Sequence, residues 1–173
     1  CISTVNEVEC IANSDELFNV ASRTQSGDVI VLCPNTILRT ESAVRIVPHD
    51  ITLCCGADKV STPSPSCIVE SRNANLILEI RGDNFTLQGI TFQNGADYYV
   101  SDQSSYGNVQ IQAGGHHRIL DCTFLNGTGC PASNVYVRDS ESLVVERSHF
   151  LGGRGSCPSL YIRNVPYFSA YKS

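Results

Sequence analysis

The chain has 173 residues, with 12 Lys plus Arg against 17 Asp plus Glu and a formal net charge of −5. That length suits one well-buried core and is short for two, and so acidic a balance leaves no electrostatic footprint for wrapping nucleic acid. No apolar run approaches the roughly 20 residues that cross a bilayer, so no membrane span is expected; the first residues lack a signal-peptide pattern, so in a secreted protein the leader has already been removed.

Taken from the N-terminus, the first readable element is a short helix. Asn13-Ser14-Asp15-Glu16 supplies an N-cap with a glutamate three residues on; Leu17, Val20 and Ala21 fall on one face, and Gly27 ends the helix. Residues 1–27 are thus an N-terminal segment with a capping helix. Residues 28–173 are the body of what is a single domain overall. In that body "ITLCCGADKV" is followed by "STPSPS" at 61–66, a Ser/Thr/Pro cluster in which Thr62, Pro63 and Pro65 suit an O-glycosylated stretch. Asn84-Phe85-Thr86 and Asn126-Gly127-Thr128 match the N-glycosylation acceptor pattern.

From residue 76 onward the chain repeats itself. "LILEIRGDNFTLQGITFQNG" (76–95), "GNVQIQAGGHHRILDCTFLNG" (107–127), "SNVYVRDSESLVVERSHFLGG" (133–153) and "LYIRNVPYFSAYKS" (160–173) share one frame. Its columns are Leu78/Val109/Val135/Leu160, Ile80/Ile111/Val137/Ile162, Leu87/Ile119/Val145/Ala170 and Phe92/Phe124/Phe150. Alternation such as Val135-Tyr136-Val137-Arg138 has the period of two that marks a strand with one buried face. A helical repeat would need spacings of three and four. Each coil therefore reads as two short alternating segments separated by a turn, stacked so that like residues lie above like. By this frame His117 shares a packed column with Phe85 and Leu143. Asn94 and Asn126 are expected to form an internal asparagine ladder that competes with glycosylation of Asn126.

These phrases resemble the right-handed parallel β-helix of the pectate-lyase-like superfamily, in its secreted eukaryotic, disulfide-containing type. The resemblance covers 28–173 and rests on "FTLQGITFQNG" and on "ITLCCGADKV" followed by "CIVES". It implies an all-β solenoid with a short N-terminal capping helix over the first coil. The last coil is incomplete by the frame, so continuation of the chain or cover by another subunit is expected there.

Nine cysteines without C-x-x-C spacing favour disulfides in an oxidising compartment over a metal site. Cys130-Pro131 and Cys157-Pro158 occupy matching loops of neighbouring coils and are expected to pair. Cys67 is expected to join Cys54 or Cys55 with Cys33 taking the other, and Cys1 to pair with Cys10. Cys122, in a column with Ile90 and Ser148, is the expected leftover thiol, packed in the core.

The resemblance implies a search for polysaccharide cleavage. Glycoside hydrolysis needs two facing carboxyl groups, and the Asn-x-Asp, Asp-Asp and Gly-His-Gly motifs of the hydrolase branch do not occur. The lyase branch needs a calcium cage of several acids, whereas the outward positions read Glu79-Arg81, Gln110-Gln112, Tyr136-Arg138 and Tyr161-Arg163. No catalytic set, metal or cofactor is expected. Tyr136, Arg138, Tyr161 and Arg163 form the candidate binding strip for a carbohydrate or a partner chain. The expected function is a secreted, glycosylated, non-catalytic structural or adhesive component of an extracellular or cell-surface fibre, self-associating or meeting a neighbouring subunit through its last coil. The alternatives are a polysaccharide lyase or glycoside hydrolase, and a carbohydrate-binding module.

Overall fold

The computed structural model describes residues 10–56, 66–73, 76–95, 105–112, 114–153 and 157–171. Helix α1 (Ser14–Arg23) opens them. The Asn13 side chain accepts the Glu16 N–H at 3.0 Å, one of the N–H groups that helix geometry leaves open, and Glu16 Oε2 reaches back to accept the Ala12 N–H at 3.0 Å. The helix stops at Arg23, short of the expected Gly27, because the Thr24 backbone leaves the helical region (φ −56°, ψ 137°) after its N–H and hydroxyl close the last turn on the Val20 carbonyl. Leu17 and Ala21 are buried over β2 and β3, whereas Val20, expected on the same face, is exposed.

The strands then follow in coils. The first is β1 (Val29–Leu32), β2 (Thr36–Thr40) and β3 (Val44–Ile46); the second is β4 (Thr52–Cys55), β5 (Cys67–Ser71) and β6 (Leu78–Ile80). The third is β7 (Thr86–Gln88) and β8 (Ile90–Gln93), then the short β9 (Ser105–Tyr106) and β10 (Val109–Gln112). The fourth is β11 (His116–Leu120), β12 (Thr123–Leu125), β13 (Pro131–Ala132) and β14 (Val135–Arg138). The fifth is β15 (Ser142–Glu146), β16 (His149–Leu151) and β17 (Leu160–Arg163), and β18 (Tyr167–Tyr171) begins another.

Every third main strand returns to the same sheet. The first sheet runs β1-β4-β7-β11-β15-β18, the second β2-β5-β8-β12-β16 and the third β3-β6-β10-β14-β17. All pairings are parallel, and β9 and β13 pair as a two-stranded ribbon beside them. This is a parallel β-helix with an N-terminal helix. The inward columns stack in the expected register: Leu78, Val109, Val135 and Leu160 are partners in the third sheet, and Phe92, Phe124 and Phe150 in the second. Those three rings lie 5.5 and 4.9 Å apart and nearly coplanar in orientation.

Each full coil has one strand in each of the three main sheets where the sequence suggested two segments. The second segment breaks at one residue with a left-handed backbone, at Gly89 (φ 69°), Asp121 (φ 53°) and Arg147 (φ 44°). One such residue turns the chain from the first sheet into the second, and the next side chain, Ile90, Cys122 or Ser148, then points inward.

Three disulfides join Cys10 to Cys33, Cys55 to Cys67 and Cys130 to Cys157. The expected Cys1–Cys10 pair is therefore replaced: Ile11 pairs alongside Leu32, which holds Cys10 against Cys33 with Cα atoms 4.8 Å apart. Cys33 for the same reason does not join Cys54 or Cys55. Cys54 is disulfide-bonded too, and Cys1 lies outside the described residues. The crosslinks mark an oxidising environment.

Candidate functional site

The strip expected from the sequence lies on the outer face of the third sheet. Inward Val135 and Val137 alternate with outward Tyr136 and Arg138, and parallel register sets Tyr136 beside Tyr161 and Arg138 beside Arg163. The two tyrosine rings stack at 5.6 Å with planes 16° apart. The four residues are thus together, but they are not four open side chains. Tyr136 is only 3% exposed, and its neighbours on this face, Gln110 and Glu79, are 3% and 6% exposed. Tyr161 is half-buried and Arg163 exposed. Register places side chains on a face; cover over that face then decides which of them meet solvent.

The charges on the strip are largely engaged. Glu79 is clamped between Arg45 Nε at 2.7 Å and Arg81 Nη2 at 2.6 Å, which offsets the cost of holding a carboxylate out of water. Arg138 Nη2 donates to Gln112 Oε1 at 2.7 Å. Two buried donors, Gln110 Nε2 and Arg138 Nε, have no hydrogen-bond acceptor among the described residues, although Asp139 Oδ2 lies 3.8 Å from Arg138 Nε. Nor do the described residues hold a cluster of three His, Cys, Asp or Glu suited to a metal.

A second polar group, not anticipated from the sequence, lines the corners between the third and first sheets. Asn84 donates from its amide to Asp50 Oδ1 at 2.8 Å and accepts the His116 N–H at 2.9 Å. His116 Nδ1 lies 2.9 Å from the Ser142 hydroxyl, and Nε2 lies 3.4 Å from Glu141 Oε2. The order Ser–His–Glu suggests a nucleophile and its base, but the N–H groups of Glu141 and Ser142 both donate to the Gly115 carbonyl and so do not form an oxyanion cradle. All three side chains are bound to the corner's own hydrogen-bond network. Strand alternation sends the adjacent His116 and His117 to opposite faces: His116 is exposed, and His117 is buried in its expected column.

The asparagine ladder exists at other positions. Asn94 and Asn126 take left-handed backbone conformations, which asparagine tolerates, and their side chains are exposed. The buried amides are Asn108 and Asn134, where the chain re-enters the third sheet. Asn126 and Thr128 are therefore open, while the Asn84 amide is in use. Thr62, Pro63 and Pro65 lie outside the described residues. Cys122 is the buried free thiol, its pKa pushed up to about 12 chiefly by burial, so it is a packing residue with almost no thiolate.

Among the described residues, exposed apolar side chains gather on the coil of β16, β17 and β18. Strands β16, β17 and β18 end the three sheets, and Leu151, Tyr167, Phe168 and Tyr171 are exposed there. Phe168 occupies the inward column of Leu143, and Phe150 presents one face of the phenylalanine stack. Comparison with protein-family models, curated proteins and solved structures finds no match to this chain.

Proposed function

We propose that the protein is a secreted, disulfide-stapled β-helix of the pectate-lyase-like type with a structural or adhesive, non-catalytic role, glycosylated and assembled with a neighbour through its last coil. The observation that carries this reading is the disulfide-stapled stack of parallel coils, in which continuous inward columns such as Phe92, Phe124 and Phe150 make a stiff scaffold. On the coil of β16, β17 and β18 the inward residues Phe150, Leu160, Ile162 and Phe168 are built like core residues yet only partly covered, and three strand edges stand beside them, a face that a further coil or a neighbouring chain would cover. Such an edge is a template for pairing. An extended apolar patch next to it favours association over a solvated surface. Asn126, with Thr128 exposed two residues on, is the sequon whose side chain is free to carry a glycan.

Light scattering during size exclusion, with electron microscopy of concentrated protein, tests assembly. Complexes or fibres that disperse in Phe168→Asp support the reading; monomers at every concentration overturn it. Intact mass before and after deglycosylation, compared with Asn126→Gln, tests the glycan.

A second reading is a carbohydrate-binding strip on the third sheet, favoured by the stacked Tyr136 and Tyr161 and by the unsatisfied donors of Gln110 and Arg138. Glycan-array binding that is lost in Tyr161→Ala would support it. Cleavage of acidic polysaccharides, followed by reducing-end and unsaturated-uronate assays with Arg138→Ala as the comparison, would instead favour a lyase or hydrolase.

A further inference from the structure

The inward column at the corner of the first sheet carries Phe85, His117 and Leu143 in consecutive coils. His117 is the polar member between two apolar neighbours, and all three are essentially out of water. The Phe85 N–H donates to His117 Nδ1 at 3.3 Å, so that nitrogen carries no proton and the imidazole is neutral. A second proton at Nδ1 would set N–H against N–H and remove that bond, leaving the buried Phe85 N–H without its acceptor.

The charged groups on the surrounding elements lie on the outer side of the wall and already have contacts. Asp83 pairs with His49 at 3.2 Å, Asp50 accepts from Asn84, and Asp139 accepts from Asn164. Glu141 lies 3.4 Å from His116, and Arg118, next to His117 on β11, reaches Glu146 at 3.8 Å. Inside, the column neighbours Ile51, Leu87 and Ile119 are apolar.

We infer that His117 is an acid-sensitive latch: neutral, it ties the coil of β11 to the coil of β7, and protonated, it releases the corner at Phe85. The sign follows from linkage. The unfolded chain takes up a proton on this residue near the ordinary pKa of about 6.5, while the folded corner resists it. The contribution is therefore fully present above about pH 6.5 and is lost as pH falls below it.

The test is urea unfolding of the whole protein between pH 7.5 and 5.0, in wild type, His117→Leu and His149→Gln, together with amide exchange at Phe85. In wild type the unfolding constant, taken relative to His117→Leu, is expected to rise by up to tenfold per pH unit below about 6.5. Protection of the Phe85 amide is expected to fall in the same range. His149 is exposed, so His149→Gln is expected to follow wild type. Equal pH dependence in wild type and His117→Leu overturns the inference, as does its loss in His149→Gln. Should His117→Leu fail to fold, imidazole resonances in wild type decide: His117 titrating near 6.5 in the folded protein, with Phe85 still protected, overturns the latch.

Discussion

Asn108 Nδ2 donates to Asn134 Oδ1 at 2.7 Å, and both side chains are wholly buried. Asn108 Oδ1 accepts the Gly95 N–H at 2.7 Å, and Asn134 Oδ1 also accepts the Gly127 N–H at 3.0 Å. One amide per coil thus closes the turn into the third sheet and is bonded to the amide of the next coil. Satisfied buried amides of this kind specify register, and a half-satisfied one is costly.

Asn134→Leu leaves the Gly127 N–H and one N–H of the Asn108 amide without their acceptor, the other N–H of that amide still reaching the Leu125 carbonyl at 3.2 Å. The expected loss is about 2–4 kcal/mol, two unsatisfied buried donors at about 1–2 each, measured as a shift in urea midpoint. Asn126→Gly at the exposed position, which keeps the left-handed backbone without strain, should shift it far less.

Gly127→Ala should be comparably damaging for a steric reason. A Cβ there would run into the Ser133 carbonyl oxygen, and backbone on both sides has no room to move. The same midpoint measurement checks this, and near-wild-type stability would contradict the packing described.

Reducing or deleting Cys130–Cys157, which closes a separation of 27 residues, removes a constraint worth about 3 kcal/mol. Limited proteolysis of Cys130→Ser/Cys157→Ser should cut first in the last coil, where side chains are least buried. Cys122, by contrast, should resist iodoacetamide at pH 8 until urea unfolds the chain, because its thiol titrates at about 12.

The Asp121 carboxyl is held below its usual range, first by hydrogen bonds from Arg147, with Nε at 2.6 Å and Nη2 at 2.8 Å, and then by its charge. A depressed carboxylate contributes stability above its unfolded value of about 3.9, lost as pH falls further. Arg147→Met should flatten that acid loss slightly, since the pair is near the surface. Urea titrations between pH 5 and 2.5 would show it.

Much of the coil register was legible because two quantities were regular. The strand period of two and a coil length of about 26 residues put Val109, Val135 and Leu160 in one column, the matching phrase around Leu78 extends it by a longer coil, and parallel pairing does the same. The first two coils were less legible, because the distances from β2 to β5 and from β3 to β6 are set by loops of unequal length. The strip at Tyr136 was legible as a face and not as a surface, since burial there depends on residues far from it in sequence.

The sequence by itself determined that apolar columns stack into a parallel β-helix capped by a helix at Asn13, because alternation and capping are local properties of the chain. Only the tertiary structure decided which asparagines are buried, that Cys10 meets Cys33, and that Tyr136 is covered while Asn126 is exposed. Those outcomes depend on how left-handed corners at Asp121 and Arg147 re-aim the chain and on which turns come to lie side by side. A shift of one residue at a corner exchanges inside for outside, and no composition or spacing records it.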